Sequence, residues 1–245
     1  MTTVHENTTA YGHRQAAVYD AVYGGRGKDW VTEGDELAAL VREHCPHAAS
    51  VLDVACGTGS HLRRLVELFD RADGVELSEA MCDIAAAKVP DATVYRADMR
   101  DFDLGRTYDA VLCLCYSIGY STSVDELNGT VARLAAHTAP GGVCVVEPWW
   151  FPERFLHGFV TASSVTEDGR AITRLSHSVR DGDVSRMTIR YVVADAAGIE
   201  DFTQVEVHSL FTREEYLAAF EHAGLAAEYR EGGPNGRGLF IAHHS

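Results

Sequence analysis

A doubly wound α/β fold, with a parallel sheet covered by helices on both faces and an antiparallel sheet inserted late in the chain, is the architecture this sequence predicts. Two observations carry that expectation. Strand-like apolar runs and helix-like amphipathic runs alternate from Val51 to about Pro148, the pattern of consecutive β/α units. From 160 to 211 the pattern switches to the period-two alternation of antiparallel strands, and only then do a helix and two closing strands follow. At 245 residues, 46% of them hydrophobic, the chain is long enough to bury one full core and carry such an insertion.

Taken in order, residues 13–23 and 34–44 read as helices upstream of the sheet. Strands are expected near 51–55, 73–77, 93–97, 109–115 and 142–147. Helices fall between them near 59–69, 79–88 and 124–138, and Pro140-Gly141-Gly142 should end the last helix and launch a strand. In the insertion, AITRLSHSV, VSRMTIRYVVA and TQVEVHSLF alternate as strands, with turn signals at Glu167-Asp168-Gly169 and Arg180-Asp181-Gly182-Asp183; a small sheet of about four strands is expected. It belongs over the carboxyl ends of the main strands, where open α/β folds bind ligands. Thr212 and Glu215 have capping-box spacing for the next helix, Gly224 stops it, and strands near 226–231 and 238–243 close the main sheet as an antiparallel edge pair. Residues 1–148 and 212–245 are thus read as one domain, and 149–211 as an inserted lid or dimerisation element.

Composition narrows the function. The formal net charge of −15 disfavours nucleic-acid binding, which needs a basic face. No apolar run approaches the length of a membrane span, and MTTVHENTTAYG lacks the basic flank and apolar stretch of a leader, so a cytoplasmic protein is expected. Six cysteines lie mostly inside apolar patterns without a C-x-x-C pair, and twelve histidines are scattered. Cys113 and Cys115 should share one face of a strand, but alone they lack the ligand count of a zinc site, and no metal centre is expected.

The segment VLDVACGTG, residues 51–59, is an apolar strand opening into a glycine-rich turn, where backbone can approach a ligand closely. About twenty residues further on, a second apolar strand ends in Glu76, the spacing that brings a carboxylate onto a ribose diol. The third small residue of a dinucleotide fingerprint is replaced by Leu62, and no Walker lysine follows, so a nucleoside is favoured over a polyphosphate. With Asp98 after the third strand, this arrangement resembles the class I S-adenosylmethionine (SAM)-dependent methyltransferases, whose fold is Rossmann-like with a seven-stranded sheet. On that resemblance Glu76 takes the ribose hydroxyls and Asp98 the adenine amine. Met99 and Met81 cover the adenine ring. Ala55, Gly57 and the strand-end backbone near Cys115 engage the methionine end, while Asp53 is expected to orient the turn. Tyr19 and Tyr23, at i and i+4 on one helical face, are expected to close over the methionine moiety.

The whole chain also resembles a narrower family, the N,N-dimethyltransferases that act on nucleotide-linked amino sugars such as those making desosamine and mycaminose for macrolide antibiotics. The motifs are GRGKDW at 25–30, VLDVACGTG, DMRDF at 98–102, SIGY at 117–120, VVEPWWFPE at 145–153, RLSHSVRDG at 174–182 and EGGPNGRGLF at 231–240. The resemblance implies a dTDP-linked amino-deoxyhexose substrate, two successive methylations of its amine, and a homodimer. Such an amine should titrate near the α-amino reference of about 8, so alignment of lone pair and methyl would carry most of the catalysis. Tyr11 matches a tyrosine near the methyl group in mycaminose relatives, and Tyr120 stands where some relatives carry histidine. Glu147 is expected at a sugar hydroxyl or the amine, Trp149 and Trp150 as stacking planes, and Ser176, His177 and Arg237 on the sugar hydroxyls and diphosphate. Three alternatives remain: a methyltransferase of a small free amine or hydroxyl (or a sugar hydroxyl), a dehydrogenase or nucleoside-sugar binder sharing the turn, and a non-catalytic cofactor-binding subunit.

Overall fold

The computed structural model describes residues 4–6 and 11–244. A seven-stranded sheet forms the centre. Its strands are β2 (Ser50–Val54), β3 (Arg71–Glu76), β4 (Val94–Arg96), β5 (Tyr108–Cys113), β6 (Thr138–Val146), β11 (Leu225–Arg230) and β12 (Leu239–His244). They run in the order β11-β12-β6-β5-β2-β3-β4. All pairings are parallel except those of β12, which runs against both β6 and β11. The seven strands and the antiparallel edge pair both match the sequence reading.

Period-two alternation assigns the two faces. Leu52, Val111, Cys113, Cys144 and Val146 pack with helices α5 (Val124–His137) and α6 (Arg213–His222). Val51, Ala110, Leu112, Val143 and Val145 pack on the other face with α2 (Trp30–His44) and α3 (Ser60–Leu68). The capping box of Thr212 and Glu215 starts α6 as expected.

A second sheet holds β7 (Phe159–Glu167), β8 (Arg170–Asp181), β9 (Val184–Asp195) and β10 (Gly198–Ser209) as an antiparallel meander. A strand that local pattern did not reveal, β1 (Val4–Glu6), adds parallel to β10. Helix α1 (His13–Gly25) lies between the two sheets. Its Val18 and Val22 pack with Ile172, Met187, Ile189 and Phe202 of the second sheet, while Ala16 packs with Ala80 and Met81 of α4 (Glu79–Lys88). Helix α1 thereby bridges the second sheet and α4.

Three local expectations are corrected. Helix α2 starts at Trp30 rather than 34, because Asp29 caps it by accepting from the Val31 and Thr32 amides. Strand β6 begins directly after α5. Pro140-Gly141-Gly142 lies within it at a register shift, where a Cβ on Gly142 would sit 2.6 Å from the Asp109 carbonyl. Cys113 and Cys115 do not share a face: the strand ends at Cys113, and Cys115 turns to the opposite layer.

Candidate active site

Two turns at the carboxyl ends of neighbouring strands hold left-handed backbone at residues that carry side chains. Ala55 after β2 has φ 61°, and Cys115 and Tyr116 after β5 have φ 51° and 57°. Such strain persists only where the surroundings over-determine it, and it concentrates at functional sites. Here both turns face one cleft of about 960 Å³. Gly57, at φ 58°, donates its amide to Glu76 Oε2 at 2.9 Å, and Glu76 Oε1 accepts from the Ser78 amide at 2.8 Å. The carboxylate at the end of β3 is locked to the glycine turn it must work with.

The cleft gathers Tyr11, Tyr19, Ala55, Gly57, Glu76, Met81, Asp98, Met99, Cys115 and Tyr120. Trp30, His61 and Tyr116 line it as well, unforeseen from sequence. Its electrostatics suit a cationic nucleoside. Burial pushes Asp53 up to about 6 and raises Glu76 above its ordinary value. Asp53 is 2% exposed, and its Oδ2 is buried without a hydrogen-bond partner. That orphaned carboxylate oxygen at the cleft wall fits the α-ammonium of a bound amino acid moiety. Arg100 grips Asp98 through Nε at 2.8 Å and holds its carboxyl below the usual range. A carboxylate has lone pairs to spare, so an adenine amine would add to that pair.

Tyr23 is placed differently from the expectation. Its ring packs against that of Tyr19 at 4.4 Å with a 38° tilt, but its hydroxyl meets that of Tyr116 at 3.1 Å, and it lines a neighbouring pocket rather than the cleft. Glu147 is also redirected. It is 1% exposed, accepts the Cys115 amide at 2.8 Å, and takes both Asn235 Nδ2 contacts at 2.7 and 2.9 Å. Lys28 donates to Asn235 and pairs with Glu33, which in turn meets His61. Three sequence motifs far apart in the chain, GRGKDW, VVEPWWFPE and EGGPNGRGLF, are thus stitched behind the strained Cys115 turn. Glu147 is spent on holding that turn, not offered to a sugar.

Beyond Tyr116 lies a second cavity of about 750 Å³ lined by Arg26, Arg154, Arg174 and Arg237 with Trp149, Trp150, Ser176 and Ser178. No carboxylate among the described residues lines it, in a chain of net charge −15. Arg237 lies 4.4, 4.9 and 5.0 Å from the ring centres of Tyr116, Trp149 and Trp150, and its Nε is buried and unpartnered. Arg174 is 3% exposed, donates to Ser176 Oγ at 3.0 Å, and also leaves a buried Nε without a partner. Orphaned guanidinium donors around a cavity call for an anion. Strand alternation separates the expected Ser176 and His177: Ser176 turns inward with Arg174 and Ser178, while His177 is exposed on the opposite face. Arg174 stood inside the RLSHSVRDG motif, and its parity with Ser176 was the signal for it.

A model described as a methyltransferase domain matches residues 51–142. The chain is 50% identical over 239 residues to a dTDP-4-amino-2,3,4,6-tetradeoxy-D-glucose N,N-dimethyltransferase of Saccharopolyspora spinosa, covering 98% of this chain and 96% of that protein. It is 51% identical over 227 residues to a dTDP-3-amino-3,4,6-trideoxy-alpha-D-glucopyranose N,N-dimethyltransferase of Streptomyces venezuelae, covering 92% and 96%. Among solved structures, Streptomyces venezuelae DesVI superposes with TM-score 0.92 at 50% identity, covering 96% of this chain and all of that one. SAM-bound CalS10 from Micromonospora echinaspora, an amino pentose methyltransferase, superposes with TM-score 0.87 at 48% identity, covering 93% and 97%. With similarity of this depth from end to end, the chain belongs to the family of SAM-dependent dTDP-amino-sugar N,N-dimethyltransferases.

Proposed function

We propose that this chain places two methyl groups on the amine of a dTDP-linked amino-deoxyhexose, with SAM in the first cleft and the nucleotide in the arginine-lined cavity beyond Tyr116. The observation that carries the reading is the shared wall: Tyr116 lines both spaces, one acidic and the other basic. When bound, SAM supplies an electrophilic methyl on a positively charged sulfur. Glu76 would hold the ribose diol, Met81 and Met99 the adenine faces, and Asp53 with the Ala55–Gly57 turn the amino acid end. Arg174 and Arg237 would grip the diphosphate, Trp149 and Trp150 would flank sugar or base, and Ser176 would meet a sugar hydroxyl. The hydroxyls of Tyr11 and Tyr120, 3.1 Å apart, line the first cleft, and the amine would arrive beside them. Alignment of lone pair and methyl at near-attack distance can supply most of the acceleration.

Calorimetry with dTDP alone tests the second cavity. Binding to the wild type that weakens in Arg174→Ala supports the assignment; no binding of dTDP would refute it. Among the described residues no helix is long and apolar enough to cross a membrane. We assign the enzyme to the cytoplasm and to a homodimer joined through the outer face of the inserted sheet, where Val160 and Leu175 are exposed. Light scattering that returns a monomer mass would refute the dimer.

A further inference from the structure

We propose that His61, presented by the first turn of α3 and steadied by Glu33, is the cationic partner of the SAM carboxylate, opposite in charge to the ammonium contact given to Asp53. This rests on the reading above that the amino acid end of SAM lies at Asp53 and the glycine turn. A zwitterion drawn out of water needs a complement for each charge, because an ionised group buried without a partner is costly. Asp53 answers the ammonium alone.

The glycine turn has few donors to spare for the carboxylate. The amides of Cys56, Gly57 and Gly59 are given to the Val75 carbonyl, to Glu76 and to the Cys56 carbonyl. Among the described residues, two basic side chains line the cleft, Arg100 and His61. Arg100 is committed to Asp98 through Nε at 2.8 Å and reaches Glu126 at 3.4 Å. Lys28 stands outside the cleft wall, bonded to Glu33 and Asn235. His61 is the basic group left.

Its surroundings hold it ready. His61 is 6% exposed, and its ring meets that of Trp30 edge-on with centres 4.9 Å apart. Its Nε2 lies 2.9 Å from Glu33 Oε2, the oxygen that Lys28 Nζ approaches to 2.7 Å. With Nε2 spent on Glu33, Nδ1 is the nitrogen left for a ligand, and no described residue binds it. A protonated imidazole donates from both nitrogens, so between Glu33 and the ligand carboxylate it makes two charge-assisted bonds. Gly59 caps α3 without a side-chain bond, and no acidic residue stands in the first turn, so the positive end of the helix adds to the field there. The unpartnered Asp53 Oδ2 opens to the same cleft, which therefore offers opposite complements to the two charges of one amino acid.

Calorimetry with S-adenosylhomocysteine, its decarboxylated analogue and methylthioadenosine, which lacks the whole amino acid end, tests the assignment in wild type and His61→Ala. Removing the carboxylate from the ligand should weaken binding to wild type about 10- to 100-fold. His61→Ala should lose about as much affinity for S-adenosylhomocysteine yet bind the decarboxylated analogue as wild type does, so that removing both partners costs little more than removing one. His61→Gln, which fills the same space without a cation, should show this pattern at reduced size and decides the matter if a thermal melt shows His61→Ala unfolded. A carboxylate penalty that is absent from wild type, or equal in wild type and the folded variants, overturns the inference alone. Wild type that binds methylthioadenosine as tightly as S-adenosylhomocysteine overturns the placing of the amino acid end and this inference with it.

Discussion

Replacing Glu76 by glutamine should cost far more cofactor affinity than the loss of one charge on an exposed carboxylate. In the structure each Glu76 oxygen already accepts one backbone amide, from Gly57 at 2.9 Å and from Ser78 at 2.8 Å. The remaining lone pairs are those available to the ribose diol. Glutamine keeps one acceptor oxygen, and its NH₂ must then point at one of those two amides. One buried backbone donor loses its partner, at about 1–3 kcal/mol, and one hydroxyl bond to a charged acceptor is lost, at about 1.5–3 kcal/mol. The first cost is present with and without ligand and lowers the Tm of the free protein; the second predicts a rise in the dissociation constant of S-adenosylhomocysteine of roughly one to two decades. Isothermal titration calorimetry reads the affinity, and a thermal melt of the free protein separates out damage to the turn. An affinity within about threefold of wild type would refute the diol assignment.

Other variants probe the remaining parts. Burial holds the Asp53 carboxyl at about 6, above its ordinary 3.8, so its favourable contribution is complete below that ordinary value and is lost as pH rises through 6. Asp53→Asn should therefore melt roughly 3–6 °C higher than wild type at pH above 6, with no difference at about pH 4, yet bind SAM more weakly. Equal melting at both pH values would contradict the burial argument. Arg237→Ala should raise the sugar-nucleotide KM about 10- to 100-fold while leaving the S-adenosylhomocysteine affinity alone, measured by steady-state kinetics and calorimetry. Asn235→Ala leaves the buried Glu147 short of two donated bonds; it should lower Tm by several degrees and loosen cofactor binding through the Cys115 turn, and a selective rise in sugar KM instead would return Glu147 to the substrate.

How far the chain could be read in advance followed the range of the interactions. Alternation from Val51 to Pro148, the glycine turn, the Thr212–Glu215 capping box and the edge strands rest on neighbours within a few residues, and each appeared where expected. That these residues line one cleft was equally accessible, because strand ends at Ala55, Glu76 and Cys115 are brought together by the parallel order itself. Long-range partners were not. Glu147 looks like a free strand-end carboxylate until Asn235, 88 residues away, is seen to bind it. Tyr23 shares a helical face with Tyr19, but its hydroxyl is captured by Tyr116 across the fold. Ser176 and His177 were paired by adjacency, although strand parity alone sends them to opposite faces. Strand β1 carries too few residues to show a period, and its partner lies about 200 positions downstream. Arg174 and Glu206, charged residues buried in the second sheet, stand on strands whose alternating pattern explained them as ordinary sheet residues.

The most direct test of the account is mass spectrometry of dTDP-amino-deoxyhexose incubated with the purified chain and isotopically labelled SAM. Two labelled methyl groups on the sugar nitrogen, with none on any hydroxyl, are the predicted result. Label on a free amine or a sugar hydroxyl, with the nucleotide-linked amine untouched, would contradict it.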